Sequence, residues 1–125
     1  MANNYKFIGV ALATISETAL LTAASDETII IRSIRVTNNT ANTPTISMDL
    51  LDNSASTEYT ILKTQSLAAN TAAEIIKVPL VLEASDVLKA TMSSTDSTHI
   101  GISYLVITWL NLLIFPQKKL MNFGR

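Results

Sequence analysis

The 125-residue chain has no cysteine, one histidine and three isolated glycines. Without cysteine, no disulfide can brace the fold and no thiolate can bind a metal or act as a nucleophile. His99 stands alone, which excludes a multi-histidine metal site. Gly9, Gly101 and Gly124 are too scattered to form a phosphate-cradling loop. Gly9 and Gly101 are better explained as close backbone approaches or bulges within strands. Aromatic residues make up only 6% and the one tryptophan, Trp109, lies near the C-terminus, a poor basis for glycoside cleavage, which needs a cleft with stacking rings beside two acids. Charged residues amount to 15%, where an ordinary soluble domain has roughly 25%. Either much of the surface is covered by neighbours, or neutral hydroxyls and amides suffice to solvate it.

The few charges are unevenly placed. Residues 1–107 carry six basic residues against ten acids, a net −4, and residues 108–125 carry Lys118, Lys119 and Arg125 and no acid. The body has no electrostatic footprint for nucleic acid, so no nucleic-acid partner is expected. The opening residues are polar and do not read as a secretory signal. The most apolar run, Ile100 to Phe115, is interrupted by Gly101, Ser103, Thr108 and Asn111 and rich in β-branched residues. It reads as a last strand plus a tail, and no membrane span is expected.

What is plentiful is alternation with period two, the signature of half-buried strands. Ile46, Met48 and Leu50 share a face, as do Leu88, Ala90 and Met92, and Ile100, Ile102, Tyr104 and Val106. Further strands are expected at Lys6 to Ala13, Thr18 to Thr22, Thr28 to Thr37, Thr57 to Lys63 and Ala73 to Val78. In the third of these, Ile30, Ile34 and Val36 form the expected core face, which Arg32 breaks, either through a bulge or by lying at an edge. Small polar clusters separate the strands: Ala24-Ser25-Asp26, Asn38 to Asn42, Asp52 to Ser56, Ala69-Asn70 and Ser93 to Ser97. About eight short strands at this spacing predict an all-β domain over residues 1–107, a single antiparallel β-sandwich of jelly-roll type, with a C-terminal extension over 108–125. The repeat of Ala24-Ser25-Asp26 as Ala84-Ser85-Asp86 suggests two similar corners on opposite halves.

Chemistry is hard to find. His99 is expected on the outer face beside a turn, as a solvated side chain. Asp49 and Asp52 are the most promising carboxylate pair, but three residues apart on a strand they point to opposite faces, and Asp86 or Asp96 could join only through the fold. No enzyme activity, metal or cofactor is expected. The tail is more informative. Trp109, Leu112, Leu113, Phe115 and Phe123 would leave an aggregation-prone surface if exposed, and Lys118 and Lys119 follow them closely. These seven residues are the candidate interaction set. They form either an arm on a neighbouring subunit, whose acidic body would attract the lysines, or an extra element folded over the same chain.

The stretch Ala19 to Asn38, together with Leu67-Ala68-Ala69-Asn70, Leu80 to Ala90 and Ile102-Ser103-Tyr104-Leu105, resembles small structural proteins of tailed bacteriophages. The resemblance spans roughly residues 7–107. It implies a non-enzymatic β-sandwich component of the virion, made in the host cytoplasm and carried on the particle. Such a component would be a capsid decoration (cement) subunit or a tail, neck or fibre-associated part. Its partners would be copies of itself and the major capsid protein or tail and neck proteins. Local threefold symmetry of capsid sites makes a trimer the expected oligomer. The related chains have glycine where this one has Ser25 and Ser85, and they end near Leu105–Ile107, so the segment from Thr108 is a departure. From a different class, a carbohydrate-binding module would also fit a sandwich and would place exposed aromatics on one sheet face.

Overall fold

A computed structural model describes residues 2–108, and every described element is a strand. Trp109, Leu112, Leu113, Phe115, Lys118, Lys119 and Phe123 lie outside the described residues. In chain order the strands are β1 (Ala2–Leu12), β2 (Thr18–Thr22), β3 (Glu27–Asn38), β4 (Thr45–Asp52), β5 (Thr57–Ser66), β6 (Ala72–Ile76), β7 (Leu80–Leu82), β8 (Val87–Met92) and β9 (Thr98–Thr108). One sheet, sheet A, has the order β1-β9-β3-β6, with β7 also on β3; the other, sheet B, has the order β2-β8-β4-β5. All pairings are antiparallel. The chain crosses repeatedly between the sheets, which is the winding of a jelly roll.

The inner faces follow the alternation of the sequence. Ile46 and Met48 on β4, Leu88, Ala90 and Met92 on β8, and Ile100, Ile102, Tyr104 and Val106 on β9 are all buried between the sheets. Leu50 packs against this core while staying partly exposed. In β3 the core residues are Ile29, Ile31, Ile34 and Val36. The expected placement of Ile30 on this face is therefore corrected. Arg32 is a bulge: Ile31 pairs Tyr104 and Ser33 pairs Ser103, so one extra residue flips the phase between them. Arg32 is left exposed, Ile30 turns outward, and the pairs Ile29–Ile31 and Ile34–Val36 both point in.

The same bulge explains why nine strands stand where about eight are expected. Along its other side β3 pairs β7 through Ile29–Ile31 and β6 through Ile34–Thr37. The sixth of the eight expected strands is thus split at Lys77-Val78-Pro79, opposite the bulge. Pro79 has no N–H to donate and lies in the gap between the two pieces, just before Leu80.

The corners flanking the sandwich come from the small polar clusters. The echoing triplets do not lie on opposite halves. They meet: Ala23 N–H donates to the Asp86 carbonyl at 3.0 Å, and Ser85 N–H to the Ala23 carbonyl at 2.9 Å. Asp86 is buried, and its carboxylate accepts the backbone N–H groups of Asn53 and Glu83, both at 2.9 Å. At the other end of β3, buried Asn38 joins two loops. Its side-chain amide donates to the carbonyls of Asn42 (2.7 Å) and Ala68 (3.2 Å), and its side-chain oxygen accepts from Thr40 N–H (3.0 Å) and Thr40 Oγ1 (2.8 Å).

Candidate assembly surface

The outer face of sheet A carries the largest exposed apolar side chains of the described residues. Because Tyr104, Ile29 and Leu82 point inward, their chain neighbours Leu105, Ile30 and Val81 point outward. The register brings them into one line. Tyr5 pairs Leu105, Leu105 pairs Ile30, and Ile30 pairs Val81. The result is an apolar stripe across four strands, with Tyr5 75% and Val81 48% exposed. At about 4.8 Å between strands the stripe is about 14 Å long. Phe7, also exposed, adds to the apolar surface of the same face, while exposed Ile15, Tyr59 and Val78 lie elsewhere, Tyr59 on sheet B and the other two between strands.

Beside the stripe lies a groove of about 540 Å³ lined by Phe7, Ser33, Arg35, Glu74, His99 and Ser103 among others. Gly9 and Gly101 face each other across β1 and β9 and form its floor. The expected backbone approach or bulge is replaced here by a side chain: a Cβ on Gly101 would sit 3.0 Å from the Phe7 ring, so the ring occupies the space that glycine leaves, while at Gly9 the nearest ring atom would be at an ordinary 3.5 Å. His99 is exposed on β9 one residue after the strand begins, pairing Ala11 and Thr37, on the outer face beside a turn as expected. Arg35 and Glu74 approach to 3.9 Å with both side chains well exposed, an ion pair of little energetic weight.

The carboxylates sort differently from the pairing that the sequence offers. Asp49 and Asp52 separate, each joining its own cluster. Asp49 lies with Glu17 and Glu58, and Asp52 with Glu83 and Asp86. The first cluster surrounds an ammonium group: Lys89 Nζ donates to Glu58 at 2.9 Å and lies 3.9 Å from Glu17. The Glu58 hydrogen bond, opposed in part by desolvation and supported by the charges of Glu58, Glu17 and Asp49, raises the Lys89 pKa above its ordinary 10.5. These acids therefore hold a cation that the chain itself supplies. In the second cluster Asp86 is occupied by backbone N–H groups and acts as a corner clamp. Asp96 accepts from Ser94 Oγ and from Asn42 Nδ2, and these two bonds lower its pKa below 3.8.

Sheet A ends on β1, which pairs β9 through eleven successive residues without a bulge and has no described strand on its other side. Sheet B ends on β5, a mostly exposed strand kinked by Thr64 at φ 45°. The stripe, the β1 edge and the groove thus concentrate contact potential on one face. Sequence reasoning missed the stripe. Its signal was the outward parity of Tyr5, Ile30, Val81 and Leu105, visible only once the Arg32 bulge is placed. No helix among the described residues is long and apolar enough to cross a membrane.

No protein-family model matches the chain, and no curated protein matches it. Solved structures do. A chain from Bacillus endospore appendages, described as a family of disulfide-linked pili, superposes with a TM-score of 0.52 at 12% identity, covering 86% of this chain and 87% of that one. Infectious bursal disease virus, Gx strain, gives a TM-score of 0.46 at 12% identity, covering 86% of this chain and 32% of that one. The capsid asymmetric unit of cyanophage Pam1 gives 0.42 at 12% identity, with 82% and 84% covered. At such identities the first likeness speaks for the two-sheet fold alone.

Proposed function

We propose that the chain is a non-enzymatic structural subunit that assembles with copies of itself. The observation that carries this reading is the apolar stripe Tyr5–Leu105–Ile30–Val81 on a solvent-facing sheet. A lone soluble domain gains nothing from displaying such a row, and its scarcity of charge gives poor protection against association. Covering the row with a neighbour satisfies both features. The pilus subunit that shares the fold is itself an assembly component, but this chain has no cysteine and must associate without disulfides.

The finer reading is a phage virion component, a decoration subunit on the capsid shell, supported by the sequence resemblance over residues 7–107. A subunit that binds only the assembled shell stabilises it by mass action, and many symmetric copies add modest contacts into a large total. A trimer suits local threefold sites. Residues 1–107 would form the rigid block and 108–125 the arm, with the boundary one residue later in the fold, since Thr108 still pairs Ala2 and Glu27 in β9. Electron cryomicroscopy of particles bearing the chain tests this. Density spread over the shell supports decoration, density at one vertex assigns the chain to the tail or neck, and particles that never retain it overturn the virion reading.

Carbohydrate binding is the second reading, favoured by exposed Tyr5 and Phe7 on one sheet face beside a groove with polar walls. A pyranose could stack on Phe7 while Arg35, Glu74 and His99 bond its hydroxyls. A hexasaccharide panel that shifts no resonance of these residues would remove it.

A further inference from the structure

Resting on the self-assembly reading, we infer that two copies pair edge to edge through β1, antiparallel about a two-fold axis at Phe7. Three observations lead there. The first is the state of the sheet edges among the described residues. β2 has five residues, and its register shifts between Ala19 and Leu21. β5 shifts register twice and bends at Thr64. β6 and β7 are short and parted by a gap that holds Pro79. β1 alone runs for eleven residues without a bulge or a proline, and its single charge is Lys6. Such an edge offers a continuous row of backbone N–H and C=O groups to another strand. The β1 of a second copy matches it in length and regularity, and the other three edges do not.

The second is side-chain fit. Ile8, Val10 and Leu12 face the core, so Asn3, Tyr5, Phe7, Gly9 and Ala11 lie on the outer face. Full overlap of two β1 strands sets Phe7 opposite the partner's Phe7, Tyr5 opposite the partner's Gly9 and Asn3 opposite the partner's Ala11. A glycine on an edge strand leaves a gap that a ring on the next strand can fill. Within one chain the Phe7 ring crowds the space over Gly101 but stands off from Gly9, where the groove opens. The partner's Tyr5 closes that side. Tyr5 and Phe7, 75% and 69% exposed in one chain, become four neighbouring rings at the axis. Each Tyr5 then lies on the diagonal to the partner's Phe7, about 7–8 Å away between Cα atoms.

The third is charge. Centring the pair on Lys6 would set two ammonium groups face to face, which is unfavourable. Full overlap sets Lys6 opposite the partner's Ile8, and centring on Ile8 instead shortens the ladder. Lysine and strand length thus select the same register as the rings. The two copies of sheet A become one sheet of order β6-β3-β9-β1-β1-β9-β3-β6, closed by an isologous contact.

The absence of cysteine makes the test clean, because any disulfide must join the residues introduced. Two differently tagged versions of the full chain, Asn3→Cys and Ala11→Cys, both at exposed positions, are purified, mixed and oxidised. In the control, Thr60→Cys on sheet B replaces Ala11→Cys. The inference expects a mixed-tag dimer at about ten times the control yield, as an effective local concentration requires. An Asn3→Cys homodimer in excess of the mixed-tag dimer overturns the register and with it the inference. Mass measurement before oxidation separates the pairing from the reading it rests on. A dimer is expected. A trimer, which isologous pairing cannot build, or any oligomer without the mixed-tag excess, overturns the pairing and leaves self-assembly standing, whereas a monomer overturns both. Amide exchange identifies another occupant: a monomer whose β1 amides are protected along the whole strand shows that the chain covers its own edge, and the second copy is then the wrong partner.

Discussion

Asn38 and Asp86 are buried polar side chains that each tie two loops together. Removing the Asn38 side chain leaves two carbonyls, an N–H and a hydroxyl to find new partners in a buried place. Asn38→Ala is expected to lower unfolding free energy by about 2–3 kcal/mol, measured by urea denaturation, with the midpoint falling and the slope unchanged. Thr64 makes the opposite case. A β-branched residue at φ 45° is held in a left-handed conformation that glycine adopts freely, while its N–H donates to Ser47 Oγ at 2.9 Å. Thr64→Gly keeps that N–H and relieves the strain. After glycine's greater loss of chain entropy, a net gain of up to about 1 kcal/mol is expected as a raised melting temperature. Asp96 gives the pH dependence. Its folded pKa lies below the ordinary 3.8, so its contribution is complete above that value and is lost as pH falls through the lowered one. Denaturation of Asp96→Asn from about pH 5 to pH 2 is expected to show a shallower acid decline than the parent. Lys89 runs the other way: its raised pKa contributes below 10.5, and the contribution is lost only as pH rises past that value.

At the scale of elements, strand identity was legible wherever alternation was uninterrupted. β2 matches its expected limits, and β4, β8 and β9 bury the faces that the sequence assigns. What was illegible came from irregularities that carry no compositional mark. Nothing in Ile29-Ile30-Ile31-Arg32 says which isoleucines face inward, because a run of four β-branched or long residues fits either phase until the partner strand fixes the bulge. The three-residue β7 was hidden for the same reason: it exists as a separate strand because its partner β3 changes phase opposite Pro79. The carboxylate clusters were illegible too, since Asp52, Glu83 and Asp86 come together only through the crossing of two corners. The turns fared better. Asn70 and Ser85 take positive φ at the small polar corners, a conformation that glycine adopts freely. Ser85→Gly should therefore be tolerated or mildly stabilising, and Ser85→Val should cost about 1–2 kcal/mol, read from paired thermal melts.

For the molecule as a whole, the jelly roll accounts for the buried core, and the sheet A face carries the proposed assembly role. The core fills the space between the sheets, the corners are fixed by buried polar side chains, and the apolar row lies on the outer face of sheet A, with Ile30 and Leu105 half-buried between Tyr5 and Val81. Self-assembly is the claim on which the functional account stands, and the mass of the full chain in solution tests it most directly. Sedimentation equilibrium across a range of concentrations is expected to give a multiple of 13.5 kDa, with dissociation on introducing Leu105→Lys into the stripe. A 13.5 kDa particle at every concentration, indifferent to that substitution, would contradict the account.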